Sequence, residues 1–140
     1  MSWSIDSAFD MPANDEVLAY LRRANPSAHS DVASELHLAS QGVPAARWYC
    51  PDPGAYAFVA LHRDDHNLVA VALGMGLIVF RLPIARIEAA VQDGGARFPE
   101  IGPDWVSFNA FTDEPLAETR RRLGRWCRIA LDTDTGRRTG

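Results

Sequence analysis

Apolar positions recur at helical spacing in four stretches of the chain and alternate, or run unbroken, in the stretches between. Val17, Leu18 and Leu21 share one side of a helix that Asn14 can cap. Asp15 and Glu16 fall in its first turn, where carboxylates suit the positive end of the helix dipole. Asn25-Pro26 stops it. A second helix follows Ser30, with Asp31 in its first turn and Val32, Leu36 and Ala39 at helical spacing; Gln41-Gly42 ends it. Strands follow at residues 47–50, 56–62, 68–73 and 77–82. In 56–62 both alternating sides are apolar: Tyr56, Phe58 and Ala60 on one, Ala57, Val59 and Leu61 on the other. That marks a central strand covered on both sides. Gly74-Met75-Gly76 is a hairpin connection, since glycine reaches positive φ angles at little cost.

Pro83 opens a third helix, with Ile84, Ile87 and Val91 as its buried stripe and Gly94-Gly95 as its end. Residues 98–104 carry Pro99, Gly102 and Pro103 and read as a loop. Residues 105–111 alternate, with Val106, Phe108 and Ala110 inward and Ser107 and Asn109 outward. Thr112, Asp113 and Pro115 start the last helix, whose core stripe is Leu116, Leu123 and Cys127. Strands joined by tight turns imply antiparallel pairing. Helices grouped near the two ends imply that they share one layer. The expectation is an α+β domain: an antiparallel sheet of about five strands with the helices packed on one face, a two-layer sandwich. Residues 1–12 read as an N-terminal arm, 13–131 as the domain and 132–140 as a flexible polar tail.

Composition narrows the class without naming a function. A chain of 140 residues, 47% hydrophobic and 23% charged, suits one globular domain and excludes a coiled coil or a disordered segment. Two cysteines, Cys50 and Cys127, are too few for a secreted disulfide scaffold and fit a reduced pair. No apolar run is long enough to span a bilayer, and the first residues lack the pattern of a signal peptide. A cytoplasmic protein is expected. A net charge of −4 argues against general nucleic-acid or membrane binding. All fixed cations are arginine, which excludes a lysine nucleophile, a Schiff base and the lysine of a phosphate-binding loop.

The run Phe80-Arg81-Leu82-Pro83, then Gly94-Gly95-Ala96-Arg97, then Trp105-Val106-Ser107-Phe108, resembles the small bacterial proteins known as luciferase-domain proteins, a label that does not imply light emission. The order of elements is also similar to the YjbR and TfoX N-terminal-like domains. The resemblance covers the second half of the chain by motif and the first half by element order. It implies a fold and an accessory binding role, with no catalytic residue to carry over. Members of the luciferase-domain family often have a Gly-His-x-His segment where this chain has Val69-Ala70-Val71-Ala72.

Three constellations offer chemistry. His62, Asp64, Asp65 and His66 could bind a divalent metal or act as acid and base, or they form a solvated turn in which Asp and Asn bond their own backbone. Trp105 shares a strand face with Ser107 and Asn109 and either lines a ligand or partner surface or is covered by the 98–104 loop. Arg121, Arg125 and Arg128 share a helix face that could dock on phosphate or an acidic partner, or could simply be solvated, with Glu118 placed to pair with Arg122. Cys50 with His62 as its base is a further pairing to consider, against a plain strand cysteine. Asp132-Thr133-Asp134-Thr135-Gly136 opens like a calcium loop, but its closing Glu would fall beyond Gly140, so a polar tail is expected.

These features lead to three expectations. The first is a non-enzymatic domain that binds a protein partner or small molecule through a sheet face, as monomer or homodimer and without a cofactor. The second is a metal-dependent enzyme built on residues 62–66. The third is nucleic-acid binding through the arginine helix.

Overall fold

The computed structural model describes residues 4–52 and 57–132. Four helices, α1 (Asp15–Ala24), α2 (Ser30–Ser40), α3 (Ile84–Gln92) and α4 (Leu116–Asp132), accompany six strands. These are β1 (Arg47–Tyr49), β2 (Val59–His62), β3 (Leu68–Leu73), β4 (Leu77–Arg81), β5 (Ala96–Arg97) and β6 (Trp105–Asn109). Two short 3-10 turns, Ser7–Phe9 and Pro12–Asn14, precede α1. The pairings between these strands are antiparallel, in the order β1-β2-β3-β4-β6-β5. The protein is thus an α+β domain on an antiparallel sheet. The sixth strand is the two-residue β5, formed between Gly94-Gly95 and the expected 98–104 loop, where the chain runs back along β6.

The element boundaries follow local chemistry. Asn25 ends α1 in the left-handed conformation, at φ 47°, and its N–H donates to the Leu21 carbonyl at 3.0 Å. Arg22 and Arg23 occupy the last turn, opposite in sign to Asp15 and Glu16 in the first. The β3–β4 hairpin turns through Gly74 at φ 60°. Its Gly74 carbonyl accepts from the His29 N–H at 2.7 Å, which fixes the start of α2 beside the hairpin. Tyr56, expected within a strand, lies outside the described residues, as do residues 133–140 of the expected tail.

The helices divide over the two sides of the sheet. On one side α2, α3 and α4 pack Val32, Leu36, Ile87, Leu123 and Trp126 onto Leu61, Ala70, Ile78, Phe80, Val106 and Phe108. On the other side α1 packs Val17, Leu18 and Leu21 with Phe9 onto Phe58, Ala60, Val71, Val79 and Trp105. Three helices keep the expected common layer, and α1 takes the opposite face. The reason lies in the strands. All six residues of β3 are buried, so neither face can be left to water.

Two expected core residues are exposed. Ile84 is 69% and Leu116 is 48% exposed. Each lies in the first turn of its helix. In α3 burial begins at Ile87, and in α4 it begins at Thr119. Both helices enter the core a turn after they start.

If α1 covers a true second core, Leu18→Ala destabilises the fold as a core truncation does, by about 2–5 kcal/mol, like Leu36→Ala on the opposite face. Urea unfolding of the two variants measures this. A change below about 0.5 kcal/mol for Leu18→Ala, the size of a surface substitution, contradicts a two-faced core.

Candidate functional site

The turn between β2 and β3 holds the densest group of polar side chains named above. Arg63 N–H donates to the Asn67 carbonyl at 3.0 Å, and His66 N–H donates to the Arg63 carbonyl at 2.9 Å. His66 sits at φ 67°, in the left-handed region. Asp65 turns back on Asn67, whose backbone and side-chain amides both donate to its carboxylate, at 3.0 and 2.9 Å. His62 is buried and its Nδ1 lies 2.6 Å from the Arg63 carbonyl. A carbonyl only accepts, so Nδ1 carries the proton and Nε2 holds the lone pair. Burial pushes the His62 pKa below its ordinary value, and neighbouring His66 and Arg47 push the same way. The Arg63 carbonyl and Asp65 oppose that shift in part.

This geometry lends no support to the metal reading of His62, Asp64, Asp65 and His66. The two imidazoles stack face to face, centroids 5.1 Å apart and 15° from parallel, instead of aiming nitrogens at one point. Among the described residues no three His, Cys, Asp or Glu side chains are gathered to hold a metal ion. What the turn does is structural. The buried Asn14 side chain donates to the Phe9 and His66 carbonyls, both at 2.9 Å, and accepts from the Leu68 N–H at 2.9 Å. It makes no cap bond to α1, the role its position suggested. On the opposite side Arg63, only 1% exposed, donates to the Leu131 and Ala130 carbonyls at the end of α4. Both carbonyls lie in the last turn of α4 as described.

The other candidates are also engaged. Trp105 is buried with Phe98 and Ile101 of the 98–104 loop, so that loop covers the indole. Ser107 donates to the Ala96 carbonyl at 3.2 Å, and Asn109 alone of the three is exposed. They form no open sheet face. On α4, Arg121 pairs with Glu118 and Arg125 pairs with Asp93 at 3.0 Å. Arg128 is exposed. Glu118 therefore bonds Arg121 and not Arg122. Arg122 instead makes a two-pronged contact with Glu114, at 2.6 and 2.9 Å, which holds the Glu114 carboxyl below the usual carboxylate range. Arg120 makes a two-pronged contact with Glu35, at 3.0 and 2.8 Å. A helix whose cations are mostly matched by carboxylates offers little net field to a phosphate backbone.

Cys127 is buried, and burial pushes its thiol pKa up to about 12, so it stays protonated at neutral pH. Cys50 and His62 do not meet. Arg47 is the residue opposite His62, three positions before Cys50 and so about 10 Å away along the strand. Cys50 also lines the α2 side of the sheet, whereas the His62 ring contacts Phe9 on the other.

One feature had no motif to announce it. A cavity of about 310 Å³ lies between the start of α2 and the β1 edge, lined by Ala28, Ser30, Ala33, Trp48, Cys50, Ala57 and Val59. Small side chains on the helix face an indole on the strand, and the mismatch in size leaves the space. Trp48 is 39% exposed and rests against His37, ring centroids 5.1 Å apart. The sequence signal was a run of Ala and Ser opposite a tryptophan, legible only once the register of β1 is known. β1 is the outermost strand on this side of the sheet.

Comparison with protein-family models, with curated proteins and with solved structures gave no match. Among the described residues no helix is long and apolar enough to cross a membrane.

Asn14→Ala is expected to cost on the order of 3 kcal/mol, because it leaves the buried Leu68 N–H and two carbonyls without partners. Thermal or urea unfolding reads this directly. A loss within the range of an ordinary N-cap deletion, about 1 kcal/mol, would assign Asn14 to the helix end and not to the turn.

Proposed function

We propose that this protein is a non-enzymatic cytoplasmic binding domain, and that its recognition surface is the apolar groove at the β1 edge. The occupant is an extended segment of a protein partner, laid along β1 with one apolar side chain in the groove. The observation that carries this reading is the coincidence of two features at Trp48: an apolar hollow of side-chain size, and an edge strand with no neighbour strand on its far side among the described residues. An edge strand offers unpaired backbone groups for added pairing, and the hollow beside it supplies side-chain selectivity. Both sheet faces are covered by helices, so the edge replaces the sheet face as the docking surface. The polar constellations give further support, since their side chains are largely committed to internal partners.

The likeness to the luciferase-domain proteins is, on this reading, a likeness of scaffold. Its motif residues do structural tasks here. Pro83 precedes the first turn of α3, and Trp105 fills the α1-side core. Gly95 lies where an added Cβ would come within 2.6 Å of Val106 and 2.9 Å of the Ala90 carbonyl, so the backbone approach itself demands glycine.

A displayed library of random heptapeptides, selected on the purified protein, tests the proposal. Peptides with a central apolar residue should emerge, and Ala33→Glu, which puts a carboxylate on the groove wall, should weaken them at least tenfold while circular dichroism stays unchanged. Selected peptides that bind Ala33→Glu as well as the parent protein, or no enrichment at all, would refute it.

A further inference from the structure

Residues 5–14 cross the α1 side of the sheet as a strap with three fastenings. Asp6 N–H donates to the Tyr49 hydroxyl at 2.8 Å. Asn14 is clamped to the β2–β3 turn, as described. Between them Phe9, 2% exposed, is the apolar anchor. Its seat is unusual in chemistry: the Tyr49 ring at 4.4 Å, and the two stacked imidazoles of His62 and His66 at 4.9 and 5.1 Å, both roughly edge-on to it. A hydrophobic anchor thus rests on the side chains that change charge nearest to neutral pH.

We propose that residues 5–14 form an acid-released strap: protonation of His62, stacked on His66, unseats Phe9 and frees the segment while the rest of the domain stays folded. Nδ1 of His62 is already committed to the Arg63 carbonyl, so an added proton goes to Nε2 and the ring becomes a buried cation. On balance the surroundings disfavour that cation, with Asp65 acting in its favour. Arg47 lies directly across β1, and Arg63 adjoins it with its guanidinium on the end of α4. His66 lies parallel at 5.1 Å and presents a ring face, with no anion to balance the charge. Of the carboxylates nearby, Asp65 is engaged with Asn67, and Asp64 is exposed. On the strap, Asp10 pairs with Arg22 at 3.1 Å and Asp6 accepts from the Ala8 N–H. Tyr49 contributes a neutral hydroxyl.

The sign follows from linkage. The His62 pKa is depressed while the strap is seated, and on release it returns toward the ordinary 6.5. The open form therefore binds more protons, and the seated form loses stability as pH falls below about 6.5. The loss stops growing once pH passes the depressed pKa. Within that window the open-to-seated ratio rises by up to about tenfold per pH unit for one proton.

Native-state hydrogen exchange on the full chain at pH 7.5 and pH 5.0, corrected for intrinsic rates, tests this. Amides of residues 5–14 should lose at least fivefold in protection at pH 5.0, while those of β3 keep theirs. The double variant His62→Asn, His66→Asn should abolish the loss. Asn retains an N–H donor near the position of Nδ1 and tolerates the left-handed conformation at residue 66. If the double variant does not fold, His66→Asn alone decides: a reduced response supports the strap, and an unchanged one overturns it. Joint loss of protection in the strap and β3, a pH-independent strap, or a response that persists in the double variant would each overturn it as well.

Discussion

One five-residue turn holds both covering layers to the sheet. Residues 63–67 close β2 onto β3, yet their side chains and carbonyls reach away from each other. The His66 carbonyl takes the Asn14 amide on the α1 side. The Arg63 guanidinium takes the carbonyls at the end of α4 on the other. The need for this arises from β3, which is apolar along its whole length and so must be sandwiched. Two layers of helix pack on one strand, and each must end in register with it. The turn sets that register with hydrogen bonds, which depend on direction, where apolar packing alone would allow sliding.

Polar groups so deeply placed earn their position by being satisfied. A buried arginine without partners would be costly, and Arg63 meets that requirement by donating to the Leu131 and Ala130 carbonyls of α4. Asn14 similarly uses both ends of its amide, two bonds donated and one accepted. The same economy runs through α4. Arg120, Arg122 and Arg125 tie the helix to α2, to the 112–115 segment and to the end of α3 through Glu35, Glu114 and Asp93. A row of arginines that looks like a surface for partners is largely a set of braces.

Much of the fold was legible because local signals agreed with one another. The glycine hairpin, Asn25, Pro83 and the alternation at 105–111 each mark the element that is found. The side taken by α1 was legible too, in the two apolar faces of residues 56–62, but grouping helices by sequence position spoke louder than the strand that needed them. Ile84 and Leu116 follow helical spacing faithfully and are exposed because spacing fixes a face and not how far the helix overhangs the core. The site was far less legible. His62 and His66 were visible as chemistry, but whether imidazoles converge or stack depends on the φ of His66 and on the bulge between Leu61 and His62. The groove beside Trp48 depends on pairing between segments far apart in the chain, which no local pattern records.

The shared turn also has a bearing on how the chain reaches its native state. The β2–β3–β4 meander is built from contacts between neighbours in sequence, which close early and at small entropic cost. The partners of residues 63 and 66 come from far along the chain on either side, Asn14 and Ala130–Leu131, and their loops are long to close. Its hydrogen bonds fix two segments far apart in sequence, at Asn14 and at Ala130–Leu131, against the same few atoms.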